Sequence, residues 1–206
     1  MSFIIAIVGG SGSGKTTLTR ELRKRFPSSS TLLVDMYYKD NSALPLEERA
    51  KLNYDDPERF DAELFSKHLK NLKDGKAVNA PVYDFSIHNR TEETTRIEPA
   101  DVIIVDGIMS MWLAKREAFD YTIYVNADAD TRLGRRLLRD IRERGRTPES
   151  VIKQYIATVK PMHNRYVESC KYNVDFVFDN EKDGRPDADT VDLLVKKIQG
   201  RMNESK

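Results

Sequence analysis

Short apolar runs ended by glycine or aspartate alternate along the chain with longer amphipathic stretches. Residues 3–8 are continuously apolar and β-branched, stop at Gly9 and Gly10, and predict a strand buried on both faces. Residues 15–26 predict a helix, halted by Pro27 and a serine run. A second strand is expected over 31–34, ending at Asp35. Residues 60–72 predict a helix: Phe60, Leu64, Leu69 and Leu72 share a face, Asp61 stands where a cap belongs, and Asp74 and Gly75 close it. Strands are expected at 102–105, before Asp106 and Gly107, and at 121–125. A strongly basic helix is expected over 131–144, ending near Gly145. Residues 149–167 have a helical pattern but contain Pro161, so a break or kink is expected there. A strand at 175–178 and a helix at 188–198 complete the series.

Strands alternating with helices imply an α/β architecture in three layers, a central parallel sheet with helices on both faces and right-handed crossovers. Residues 40–96 interrupt the alternation. There Ala77 and Val78, and Pro81 to Tyr83, predict short strands of a side flap. With no internal repeat and no low-complexity linker, the expectation is one domain over residues 1–206, a flap at about 40–96 and a lid at about 135–155.

Composition narrows the function classes. Lys and Arg total 34, Asp and Glu 33, and the net charge of +1 argues against a nucleic-acid binder that works by bulk charge. Cys170 is the single cysteine, so an internal disulfide is excluded, and no Cys/His spacing suggests zinc. The apolar run at 3–8 is too short to span a bilayer and lacks a basic flank, so no membrane association and a cytoplasmic location are expected.

The most specific local signal is Gly9, Gly10, Ser11, Gly12, Ser13, Gly14, Lys15 and Thr16. It satisfies GxxxxGK[ST] between a predicted strand and a predicted helix, the context a phosphate-binding loop requires. Glycines let the backbone N–H groups wrap an anion at a helix N-terminus. Lys15 supplies a mobile charge to the β and γ phosphates, the Thr16 hydroxyl is placed to ligate Mg²⁺, and Thr17 joins the cradle. The motif predicts a nucleoside triphosphate, ATP or GTP, without naming the acceptor.

Ligands in an open parallel sheet lie outside the carboxyl ends of the strands. Two predicted strand ends carry carboxylates, Asp35 and Asp106. Asp35 is assigned as the base for an attacking hydroxyl, because Met36, Tyr37 and Tyr38 beside it offer aromatic surface to a ring-bearing acceptor. Asp106 is assigned to Mg²⁺, with Asp35 and Thr16 as further oxygen donors. In the flap, Asp55 could accept hydrogen bonds from ribose hydroxyls, and Tyr83, Phe85 and His88 could meet a base, although aromatic pairs more often serve packing. Seven arginines, at 132, 135, 136, 139, 142, 144 and 146, crowd one stretch. A solvated face is the plain reading, and a lid closing over phosphates with Gly145 as hinge is the functional one.

These blocks together resemble the uridine–cytidine kinase family. The phosphate loop, the Asp35-Met36-Tyr37-Tyr38 run, Asn53 to Pro57, Pro81 to Arg90, and Asp130 to Tyr155 follow the family's order across residues 3–180. The resemblance implies transfer of the ATP γ-phosphate to the 5′-hydroxyl of uridine or cytidine. It implies Asp35 as general base, Asp55 on the ribose, and Tyr83 and His88 on the pyrimidine with Phe85 beside them. Arg136, Arg146 and Gln154 become further nucleoside contacts, and Arg139 and Arg144 the lid arginines on the triphosphate. It also implies a homo-oligomer, a tetramer. Asp106 stands where the family commonly has Glu, and being one methylene shorter could hold the metal through water. Tyr54 stands where Phe is frequent. Two alternatives stay open: a kinase of the same fold acting on phosphoribulose or pantothenate, and a nucleotide-dependent switch with no small acceptor.

Overall fold

The computed structural model describes residues 1–181 and 185–204. Its strands are β1 (Phe3–Val8), β2 (Ser29–Leu33), β3 (Val78–Asp84), β4 (Asn89–Ile97), β5 (Val102–Asp106), β6 (Tyr121–Asn126) and β7 (Phe176–Asp179). Five of them form one parallel sheet in the order β2-β5-β1-β6-β7, and β3 and β4 pair separately as an antiparallel hairpin. Every residue of β1 is buried, as the continuous apolar run demands of a central parallel strand.

The period-two alternation divides the core between the two faces. Ile5 and Ile7 pack with Leu18 and Leu22 of the Lys15–Arg25 helix and with Leu194 and Ile198 of the Ala188–Glu204 helix. Ile4, Ala6 and Val8 pack on the other side with Phe65, Leu69 and Leu72 of the Ala62–Lys73 helix and with Val78, Ala80 and Ile97 of the hairpin. Full burial of such a side chain contributes about 1.5–3 kcal/mol, so both layers hold the same strand firmly.

Three expectations need correction. Strand β2 ends at Leu33, and Val34–Tyr37 turns as a 3₁₀ segment. Strand pairing stops at Leu33 opposite Asp106, and Gly107 then packs so close to Val34 that no Cβ would fit, which turns the chain away. The turn carries Tyr37 into the core against Phe65, its hydroxyl 2.9 Å from His68 Nδ1. Tyr37 is therefore closed to an acceptor, and Tyr38, in contact with Tyr83, is the ring of that run that joins the aromatic cluster of the hairpin.

The second correction is the helix expected from Phe60, which begins at Ala62. Asp61 caps it, accepting from the Leu64 N–H at 3.1 Å, while Phe60 stacks on Tyr38 with ring centroids 4.2 Å apart. The third is Pro161, where the chain does not break. The helix starts at Pro148–Gln154, and wide π turns at Tyr155–Val159 and His163–Val167 flank the short Lys160–Met162 segment that holds the proline. A π turn takes an extra residue and so accommodates a missing N–H without ending the rod.

Candidate active site

The loop at residues 9–16 leaves β1, whose connection runs toward β2, while the connection from the adjacent β5 runs the opposite way to β6. That switch point is where an open sheet leaves a crevice. Gly12 and Gly14 have φ of 83° and 100°, a left-handed backbone that glycine adopts without strain. A Cβ on Gly12 would meet the Arg132 carbonyl, and one on Gly14 the Asn180 amide. Asn180 Nδ2 also donates to the Ser13 carbonyl at 2.7 Å, tying the loop to the end of β7. Gly12→Ala is expected to destabilise the fold by about 1–3 kcal/mol, read from urea denaturation. Unchanged stability would show that the loop can reshape around a side chain.

Lys15 is buried, and its Nζ donates to the carbonyls of Gly9 at 2.9 Å and Gly10 at 3.1 Å. Burial pulls its ammonium below the usual lysine range, against the opposing pull of Asp106 and Asp35. Asp106 ends β5 with only 5% of its surface exposed, and its Oδ2 accepts from Thr19 Oγ1 at 3.1 Å. Thr16 is exposed and Thr17 half-buried at the helix N-terminus. Asp35 reaches the surface of the cleft. Crowding by surrounding protein nevertheless lifts its carboxyl above the usual value; Lys15 opposes the lift, Asp106 adds to it, and Arg144 and Arg139 oppose it. One neighbourhood thus holds Lys15, both carboxylates, Arg139 and Arg144.

The basic helix spans Ala129–Arg144 and ends at Gly145, φ 61°. Its arginines separate by direction. Arg132 is buried beneath the phosphate loop, donating from Nε to the Ala127 carbonyl at 3.0 Å. Arg135 donates to the carbonyls of Asn180 at 2.9 Å and Glu181 at 3.3 Å. Arg136 is buried and donates to Ser11 Oγ at 2.9 Å and Gln154 Oε1 at 2.8 Å. Arg146 reaches the same Gln154 oxygen at 2.5 Å. The Arg144 guanidinium lies over the Phe85 ring, 4.8 Å from its centroid, so the end of the basic helix touches the hairpin turn.

The sequence profile of the phosphoribulokinase / uridine kinase family matches residues 4–185. The chain belongs to that family. A uridine kinase of Clostridium botulinum strain Okra is 47% identical over 199 residues, covering 95% of each chain. A uridine kinase of Bacillus subtilis strain 168 is 44% identical over 199 residues, covering 95% of this chain and 93% of its own. Among solved structures, phosphoribulokinase from Rhodobacter spheroides superposes with a TM-score of 0.62 at 12% identity, covering 86% of this chain and 70% of its own, a likeness of fold.

In this family member the flap presents a continuous aromatic surface. Tyr38 lies 4.9 Å from Tyr83 and 5.3 Å from Tyr54, Tyr83 meets Phe85 edge-on at 5.1 Å, and His88 stacks on Tyr54 at 5.4 Å. Residues 85–88 form the hairpin's turn, with Ser86 N–H and Oγ both donating to Asp84 Oδ1. His88 takes φ 51°, a conformation that non-glycine residues adopt rarely. The Tyr54 hydroxyl, the group that distinguishes it from Phe, donates to the Arg49 carbonyl at 3.0 Å with the His88 carbonyl 3.3 Å away. Burial, then Arg146, holds His88 below the usual histidine value, so the ring is neutral near pH 7. Asp55 is buried and accepts from Thr158 Oγ1 at 3.1 Å. Burial lifts its carboxyl, and Arg136 pulls it back.

One participant, Thr158, was not singled out from the sequence, and another, Asp140, was noted only as part of the arginine block, with no role. Thr158 reaches Asp55 because the π turn brings it inward, and no periodicity marks such a turn in advance. Asp140 is fully buried among arginines, whereas its position in a basic run suggests only a surface ion pair.

Proposed function

We propose that this chain phosphorylates the 5′-hydroxyl of uridine and cytidine, using ATP or GTP with Mg²⁺, in one kinase domain with a mobile flap and lid. The observation that carries the reading is the convergence around Asp35. Asp35 follows β2 at the same sheet end as the phosphate loop, where Arg136 donates to Ser11 of the loop and shares the Gln154 oxygen with Arg146, and where Arg144 lies over the Phe85 ring of the hairpin, so a phosphate site and an aromatic site meet there. The relatives named as uridine kinases over nearly the full chain support the choice of acceptor.

In this proposal the backbone N–H groups of residues 9–16, with Thr16 and Thr17, hold the triphosphate. Lys15, Arg139 and Arg144 bear on the oxygens where charge spreads during transfer, and positioning with electrostatics does most of the catalytic work. Asp35 accepts the proton of the 5′-hydroxyl. Asp55, oriented by Thr158, takes the ribose hydroxyls. Tyr83, Phe85 and the neutral His88 read the pyrimidine, and Arg136, Arg146 and Gln154 close the pocket. The oxygens of Thr16, Asp106 and Asp35 suit Mg²⁺, a hard cation that takes one or two carboxylates alongside substrate phosphates. Bound there, the metal would neutralise phosphate charge. A tetrameric assembly and a cytoplasmic location belong to the same proposal. Among the described residues no helix is long and apolar enough to cross a membrane.

The test is ADP release with Mg·ATP in the presence of uridine, cytidine, thymidine or adenosine, with products identified by mass. A 5′-monophosphate from uridine and cytidine is expected; ADP release indifferent to nucleoside would favour the switch, and silence with all four another acceptor. His88→Ala is expected to raise the uridine KM about 10-fold or more, as for loss of a directional contact, with little change in the ATP KM. Equal changes in both would make His88 a structural residue of the turn.

A further inference from the structure

Asp140 has no exposed surface, and its two oxygens divide four guanidinium groups between them. Oδ1 accepts from Arg139, 2.9 Å from Nε and 2.8 Å from Nη2, and lies 3.9 Å from Arg144 Nε. Oδ2 lies 3.4 Å from Arg146 Nη1 and 3.6 Å from Arg136 Nε. The division follows the two substrate sites. The Oδ2 pair also shares the Gln154 side-chain oxygen, and Arg136 acts on Asp55. The Oδ1 pair acts on Asp35, beside Lys15.

We propose that Asp140 is a positioning residue that couples the donor and acceptor sites. The inference rests on the nucleoside kinase reading above. Within 4 Å, among the described residues, Asp140 is the one carboxylate that faces these four cations, so the cluster is short of close negative charge until a triphosphate arrives. Phosphate oxygens then draw Arg139 and Arg144 away from Oδ1. The Asp140 charge, no longer shared four ways, bears on Arg136 and Arg146 and fixes them in the geometry that the ribose requires. The nucleoside meets a pocket already ordered and binds more tightly. By linkage the nucleoside tightens triphosphate binding by the same factor. Asp140 touches neither substrate.

Calorimetry of uridine binding, with and without the magnesium complex of a non-hydrolysable ATP analogue, tests this. The wild-type protein is expected to bind uridine at least about 5-fold more tightly with the analogue, the lower end of ordinary coupling. Asp140→Asn keeps the shape and removes the charge, and its ratio is expected to fall to about one. A ratio that stays at the wild-type value in this variant overturns the proposal, as does a wild-type ratio of one. Because Asp140→Asn leaves buried arginines unpaired and could unfold, a double-mutant cycle of Arg139→Gln and Arg146→Gln provides a second route. These residues sit on different oxygens, so non-additive effects on the uridine KM support coupling through Asp140, and strictly additive effects overturn it. Failure of uridine and cytidine to bind the wild-type protein at all would overturn the nucleoside reading together with this one; uridine binding indifferent to the analogue overturns the coupling alone.

Discussion

Asp35→Asn is expected to lower kcat by about 10²–10⁴-fold, the usual loss on removing a general base, while the uridine Kd stays within a few-fold. The asparagine fills the same space at the cleft wall but cannot take a proton from an attacking hydroxyl. Wild-type kcat/KM, which reports the free enzyme, should rise with pH as Asp35 loses its proton, at a pH above the ordinary aspartate value because the surrounding protein disfavours its charge. In the variant that limb should vanish. Stability gives an independent reading. A carboxyl whose folded-state pKa is raised contributes stability below its unfolded pKa and loses it as pH rises through the folded one. Once pH has passed that raised value the charged Asp35 is a burden on the fold, and there the asparagine protein should melt at a slightly higher temperature. Near-wild-type turnover would remove Asp35 from the chemistry.

Lys15→Ala should reduce kcat/KM by about 10²–10³-fold or more for every acceptor, as for the loss of a preorganised donor to developing charge. Lys15 is held by the Gly9 and Gly10 carbonyls in the neighbourhood of Asp35 and Asp106, so its ammonium is pre-positioned at the loop. Titration with ATP and with uridine separates its role from that of the flap. ATP affinity should collapse while uridine affinity in the absence of nucleotide stays near wild type. A variant with intact ATP affinity would show that the loop backbone alone retains the triphosphate.

The middle of the sheet was legible because β1 and β5 are short apolar runs with a sharp stop, and a parallel strand buried on both faces needs no alternation to be recognised. The phosphate loop was legible because GxxxxGK[ST] has a single structural context. What escaped was set by contacts distant in sequence. Nothing near Val34 announces that Gly107 will press against it and bend the chain into a 3₁₀ turn. The rule that proline breaks helices is local, and the π turns around Pro161 evade it by changing the winding on either side. Counting arginines exposed a cationic segment but not its wiring: Arg132 and Arg135 brace loops, whereas Arg136, Arg139, Arg144 and Arg146 gather on one carboxylate. The resemblance brought Asp55 and His88 to notice, and the stacking of His88 on Tyr54 and the Thr158 bond to Asp55 supply the physical support that spacing could not.

The strand order also governs how the molecule comes into being. β1 is synthesised first yet lies at the centre, flanked by β5 and β6, with Ile5 opposite both Ile104 and Tyr121. A growing chain therefore carries this apolar segment without either neighbour until β5, the earlier of the two, has been added. Closing such long intervals before any ladder bond forms slows assembly and prolongs the exposure of sticky backbone. The strand that later anchors the phosphate loop is thus the segment most open to mispairing while the chain is made.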